Sequence, residues 1–244
     1  MRKLFLSSEM RNTSESTSSF SVNIQSHQIY PKGLRLNTAS IPFTWYPVNS
    51  INNKIYFNED AGATLTAVLT PGNYTYATLA TEIKTRMDAA STATKTYTVT
   101  YDATLNKFTI AISSGLVSFK FLTNTANSAY KVLGASLLDT TGALSYAFPN
   151  FPQLNSNSQI FIRSNALTGI LKSGNMINGK VSNCLEVINV NADQGYYVYW
   201  ENAVEKMYET MGPLPQNIDI SITDFQGNNI DLRNVDCGLE LLLE

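Results

Sequence analysis

The chain has 244 residues with 17 basic and 19 acidic side chains, a net charge of −2, and only 15% charged residues, well below the roughly 25% of an ordinary soluble domain. That length can bury a sizeable core as one β-domain or as a domain carrying an inserted subdomain. With charge so balanced and no basic cluster, specific nucleic-acid binding is excluded, and a charge-poor surface favours contact over free solution.

Met1-Arg2-Lys3-Leu4-Phe5-Leu6 opens like a signal peptide, but its apolar run gives way at once to Ser7, Ser8 and Glu9; no export signal and no membrane span are expected. Residues 7–19 are nearly all Ser, Thr, Asn, Glu and Arg. Too little apolar surface is present there to offset ordering, so 1–19 is expected to be a flexible arm.

From Phe20 the pattern turns to period two. Phe20, Val22 and Ile24, then Ile41, Phe43 and Trp45, alternate with mostly polar or small residues, the mark of half-buried strands. Similar runs occur at 54–57, 65–69, 159–163, 184–190, 196–200, 218–222, 230–232 and 239–243, separated by turns such as Asn52-Asn53 and Gly227-Asn228-Asn229. Short strands between Asn-, Gly- and Pro-rich turns predict an all-β-dominated chain, a single jelly-roll β-sandwich. Long helices alternating with strands are missing, which disfavours a doubly wound α/β fold.

One region departs from this rhythm. After the turn Pro71-Gly72-Asn73-Tyr74, residues Tyr76, Leu79, Ile83 and Met87 fall at helical spacing behind Thr75, predicting an amphipathic helix over 75–90 with Thr75 as its cap. A hairpin follows over 97–112 with a five-residue loop at Asp102–Asn106, then a strand at 117–122 and a helical turn at 129–133. These form an inserted small α+β subdomain over 60–148, with the jelly roll made of 20–59 and 149–244. Phe148-Pro-Asn-Phe-Pro152 marks the return to it, because two such prolines do not fit a central strand.

Chemistry is hard to find. His27 is the only histidine, so a triad or a histidine metal site would rest on it alone, and a strand-edge polar role is the better reading. Cys184 and Cys237 have no neighbouring cysteine or histidine; they read as reduced buried thiols in a protein assembled inside a reducing cell, where the sequons at Asn12 and Asn73 carry no glycan. Gly169 to Gly174 lacks the Lys-Ser/Thr ending of a phosphate loop. Asp219, Asp224, Asp231 and Asp236, among Asn228, Asn229 and Asn234, contain the donors for calcium, but turn formation by Asp and Asn explains them better. No cofactor, no metal and no enzymatic activity is expected.

The run Tyr196-Tyr197-Val198-Tyr199-Trp200 is the most distinctive feature. In a strand, Tyr196, Val198 and Trp200 share one face and Tyr197 and Tyr199 the other. One face suits the core and the other a neighbouring subunit, with ligand stacking as the alternative. Tyr197, Tyr199, Trp45 and Tyr46 are the candidate subunit-interface residues.

Several segments, taken in order, resemble the penton (vertex, or minor capsid) proteins of virophages and of polinton-like and related eukaryotic DNA viruses. They are Ala39-Ser-Ile-Pro-Phe-Thr-Trp-Tyr-Pro-Val-Asn49, Leu69-Thr-Pro-Gly-Asn-Tyr-Thr75, Thr98-Val-Thr-Tyr-Asp102, Lys107-Phe-Thr-Ile110, Val132-Leu-Gly134, Ile218-Asp-Ile-Ser-Ile-Thr-Asp224 and Leu239-Glu-Leu-Leu-Leu243. The resemblance implies a jelly roll with an insertion, forming homopentamers that plug icosahedral fivefold vertices of a virion and contact major capsid hexons. Set against it is a β-sandwich attachment or glycan-binding module that meets a host receptor or glycan.

Overall fold

The protein is described as a computed structural model over residues 1–24, 29–60, 62–91, 96–113, 118–154, 157–177, 180–204 and 207–244; His27 lies outside these. The first strands are β1 (Arg2–Ser7), β2 (Ser19–Asn23), β3 (Gly33–Pro42), β4 (Lys54–Glu59) and β5 (Thr64–Val68). Helix α1 (Tyr76–Ala90) precedes β6 (Tyr97–Asp102), β7 (Lys107–Ile112), β8 (Phe119–Phe121), α2 (Tyr130–Leu133) and β9 (Ser145–Ala147). The remainder is β10 (Gln159–Arg163), α3 (Asn165–Thr168), β11 (Met176–Ile177), β12 (Lys180–Val181), β13 (Cys184–Asn189), β14 (Tyr197–Glu201), β15 (Tyr208–Glu209), β16 (Asn217–Thr223) and β17 (Gly238–Leu243).

These elements divide into two units, Met1–Trp45 with Asn157–Glu244, and Tyr46–Ser156. In the first, one sheet has the order β1-β17-β3-β14, with β15 also on β3, and the other β13-β10-β16-β2. Numbered within this unit alone, the eight long strands run 1-8-3-6 in one sheet and 2-7-4-5 in the other. That is the strand order of a jelly roll, a double Greek key closed from both ends of the chain. Alternation explains the sandwich. Leu6, Leu239, Ala39 and Trp200 form one inward row across the first sheet, and Leu4, Leu241 and Leu36 form the next. Phe20, Val22, Ile160, Ile162, Ile188, Ile218, Ile220 and Ile222 fill the same core from the second sheet. β-branched and leucine side chains suit this half-buried pleat.

The arm expected over 1–19 is instead ordered. β1 pairs antiparallel with β17 along its whole length, from Arg2 opposite Leu243 to Ser7 opposite Gly238. Ser8–Met10 form a 3-10 turn capped by the Ser7 side chain, and Arg11 pairs with Asp236 at 2.5 Å. Leu4 and Leu6 provide an apolar face whose partner lies at the other end of the chain, so the polarity of the local sequence misleads. Ile230 and Leu232 are buried, yet they form no strand; Ile230 N–H donates to the Ile222 carbonyl across a turn.

The second unit begins at Tyr46 and ends at Ser156, wider than the 60–148 expected, because β4 joins it. β4 is the centre of a three-stranded sheet β5-β4-β8, and β6-β7-β9 form another. The strand expected at 117–122 is β8 and pairs with β4 rather than with the hairpin; Val117 lies outside the described residues. α1 starts where the sequence places it, with Thr75 and Thr78 exchanging side-chain and backbone hydrogen bonds in a capping box. Leu79, Ile83 and Met87 are its buried stripe. They share a core with Phe57, Tyr97, Phe108, Phe119, Phe121 and Phe148, richer in aromatic rings than that of the jelly roll. α2 ends on Gly134 at φ 75°, where a Cβ would sit 2.3 Å from the Asn150 carbonyl oxygen, so only glycine fits.

Candidate subunit interface

The site begins with the parity of β14. Among the described residues it is an edge strand paired with β3 alone, and the register sets Tyr197 against Pro42, Tyr199 against Ser40 and Glu201 against Thr38. Val198 points inward and is fully buried. Tyr197 and Tyr199 therefore stand on the outer face, and Tyr199 is 74% exposed. Tyr196, just before the strand, is also exposed. Two tyrosines on the outer face of one sheet edge, Tyr197 and Tyr199, form an amphipathic patch of the kind enriched at protein contacts.

Trp45 does not belong to it. Its ring is 4% exposed and lies 4.4 Å from the Phe43 ring in the jelly-roll core, because the chain turns inward after β3. The candidate interface loses this residue. Tyr46 is half-buried at the start of the other unit.

The outer face continues across the sheet. Phe5, Glu240 and Thr38 form one row, with Glu201 as its fourth member. Glu240 is nearly buried there. It accepts from Lys3 Nζ at 3.2 Å and Asn37 Nδ2 at 2.5 Å, so its charge is matched without becoming a reactive group. Phe5, on the opposite edge strand, is 66% exposed. Sequence reasoning missed Phe5 and Lys3 as surface candidates because 1–19 reads as an arm. The available signal was the alternation Lys3-Leu4-Phe5-Leu6.

Two of the aspartates considered as calcium donors hold backbone groups. Asp219 accepts from the backbone N–H groups of Asn165 and Ala166 at the start of α3, and Asp224 accepts from Asn228 in a turn. Cys184 and Cys237 are buried free thiols, each pushed up to about 11 by burial. Thiolate is scarce at neutral pH, so both are quiet as nucleophiles. Among the described residues no group of three His, Cys, Asp or Glu side chains could hold a metal ion, and no helix is long and apolar enough to cross a membrane.

No family model and no curated protein matches the chain. Among solved structures, it is similar to the mavirus penton protein, with 12% identity and a TM-score of 0.49 over 100% of this chain and 99% of that one. It is also similar to a chain in the structure of the Sputnik virophage, with 12% identity and a TM-score of 0.44 over 99% of this chain and 98% of that one.

Proposed function

We propose that the chain is a structural, non-enzymatic subunit of a virion, a penton that forms homopentamers at icosahedral fivefold vertices and contacts major capsid hexons, assembled inside the host cell. The observation that carries this reading is the jelly-roll strand order joined to exposed aromatics on the outer face of one of its sheets. Jelly rolls serve shells and lectins alike, and a shell subunit works by contact. A surface with only 15% charged residues over the whole chain suits that work. The ordered penton-like segments from Ala39 to Leu243 point the same way.

Light scattering on the purified chain tests the reading, with a mass of five copies expected; the location of the chain at the fivefold positions of a purified particle map would complete it. A stable monomer together with empty vertices would refute it. A second reading, attachment through a glycan, is favoured by Tyr197 and Tyr199 being exposed on one face of β14, since sugars stack on such rings. Glycan-array binding lost on Tyr199→Ala would support it.

A further inference from the structure

Among the described residues, the jelly-roll sheet β1-β17-β3-β14 has two edges that no other strand covers, and their chemistry is matched. Hydrogen-bond parity defines which groups are open. Ser8 N–H donates to the Cys237 carbonyl directly opposite it, so the even residues of β1 bond to β17 and Lys3, Phe5 and Ser7 turn their N–H and C=O groups outward. On the far edge, Phe43 N–H donates to the Tyr196 carbonyl and Asn202 N–H to the Asn37 carbonyl. The even residues of β14 are therefore taken by β3, and Tyr197, Tyr199 and Glu201 face outward.

Resting on the reading of the chain as a self-assembling shell subunit, we infer that the β1 edge of one copy adds to the β14 edge of the next. Phe5 then stands opposite Tyr199, Lys3 opposite Glu201 and Ser7 opposite Tyr197. Strand direction permits this, because β1 and β14 are antiparallel ends of a sheet that is antiparallel throughout, and a second copy placed in the same sense continues the alternation. Parity restricts the pairing to odd residues against odd residues. Of the registers left, this one alone places the exposed Phe5 ring on the exposed Tyr199 ring while it sets the Lys3 ammonium against the Glu201 carboxylate. Aromatic and opposite-charge pairs are the favourable cross-strand neighbours. Pairing β1 with β1, or β14 with β14, forms no ion pair.

Such a contact is head to tail, so each copy offers β1 to one neighbour and β14 to another. Contacts of this kind close into rings when the rotation allows. The pairing also explains how the chain tolerates open edges bearing Phe5 and two tyrosines, which in a monomer would be an aggregation hazard.

Cysteine pairing tests it directly. Directly opposite residues of this kind have Cα atoms about 5.5 Å apart, within disulfide reach, and the native thiols are buried. Copies carrying Phe5→Cys mixed with copies carrying Tyr199→Cys should give disulfide-linked dimers, neither variant alone should, and the doubly substituted chain should give a ladder ending at five copies. Lys3→Cys with Glu201→Cys repeats the test at the neighbouring pair. Glu201→Lys should weaken assembly at least tenfold, and Lys3→Glu in the same chain should restore it, with thermal melting followed in parallel because Lys3 also contacts Glu240. Pentamers that form without these cross-links overturn the pairing and leave the shell reading standing. Cross-links from Phe5→Cys alone overturn the head-to-tail arrangement, and a chain that stays monomeric at the highest attainable concentration overturns the pairing together with self-assembly.

Discussion

The two units of this chain reach stability by opposite routes. The jelly roll is aliphatic, and its framework joins distant sequence: Arg2 lies opposite Leu243, and Ser19 opposite Ser221. The inserted unit is aromatic and local, with Tyr97 opposite Ile112 across one short loop and a capped helix beside them. Loop closure costs more entropy in the first route than in the second, where β4 still reaches β8 with Phe57 opposite Phe121. The inserted unit is thus expected to form early, and the jelly roll only after its last strand has been made.

The largest test of that contrast removes residues 1–7. In a flexible arm the deletion would be harmless. In this structure it strips a full strand from β17 and exposes the row beside Leu4 and Leu6. Full burial of Leu6 is worth about 1.5–3 kcal/mol, and partly buried Leu4 adds less, against the roughly 5–15 kcal/mol that hold a domain folded. The deleted chain should lose the cooperative transition of the jelly roll while Tyr46–Ser156 keeps its amide-exchange protection. An unchanged denaturation midpoint would contradict the place given to β1.

A smaller effect separates the units by pH. Tyr97, fully buried in the aromatic core, donates its hydroxyl to Glu59 Oε1 at 2.7 Å, and burial first, then the Glu59 carboxylate, raises its pKa well above the usual tyrosine value. The unfolded chain releases this proton near pH 10, while the folded one retains it. Stability from this group is therefore fully present below about pH 10 and falls as pH rises beyond it. Tyr97→Phe should flatten that alkaline fall in the inserted unit. It should also cost about 1–3 kcal/mol at neutral pH, because Glu59 is only 7% exposed and keeps Ser91 Oγ as a donor to Oε1, while Oε2 has no partner among the described residues. Urea melts of both proteins at pH 7 and above pH 10 measure the two effects.

What the sequence revealed follows the same division. Helix α1, its Thr75 cap and the β6–β7 hairpin are legible because the groups that define them are within a few residues of each other. The alternation of Ile218, Ile220 and Ile222 is legible for the same reason. β1 was hidden because the residues that complete it are Leu239 to Leu243, and the membership of β4 was hidden because its second partner, β8, lies far along the chain, with Phe57 opposite Phe121. At the candidate interface, strand parity correctly turned Tyr197 and Tyr199 outward. Trp45 was misplaced, since period-two reasoning cannot tell which way a chain bends once its strand ends at Pro42.

Helix caps give the smallest and sharpest comparison. Thr75 Oγ1 accepts from Thr78 N–H at 3.2 Å, and Thr78 Oγ1 accepts from Thr75 N–H at 2.9 Å. In the jelly roll, Ser164 Oγ accepts from Leu167 N–H at 3.0 Å, while Asp219 separately accepts the N–H groups of Asn165 and Ala166. Loss of a cap costs about 0.5–2 kcal/mol, and the cost depends on what still covers the free amides. Thr75→Ala frees the Thr78 amide and leaves only the bond from the N–H of residue 75 to Thr78 Oγ1, on a helix that bears Leu79, Ile83 and Met87. It should cost about 1 kcal/mol in the inserted unit. Ser164→Ala frees one amide and leaves two held by a carboxylate that arrives from β16, so its effect on the jelly roll should be smaller. If paired urea melts give equal or reversed losses, the local cap of α1 matters less than its packing, and the local route to stability assigned to the inserted unit would have to be replaced by an account based on its aromatic core.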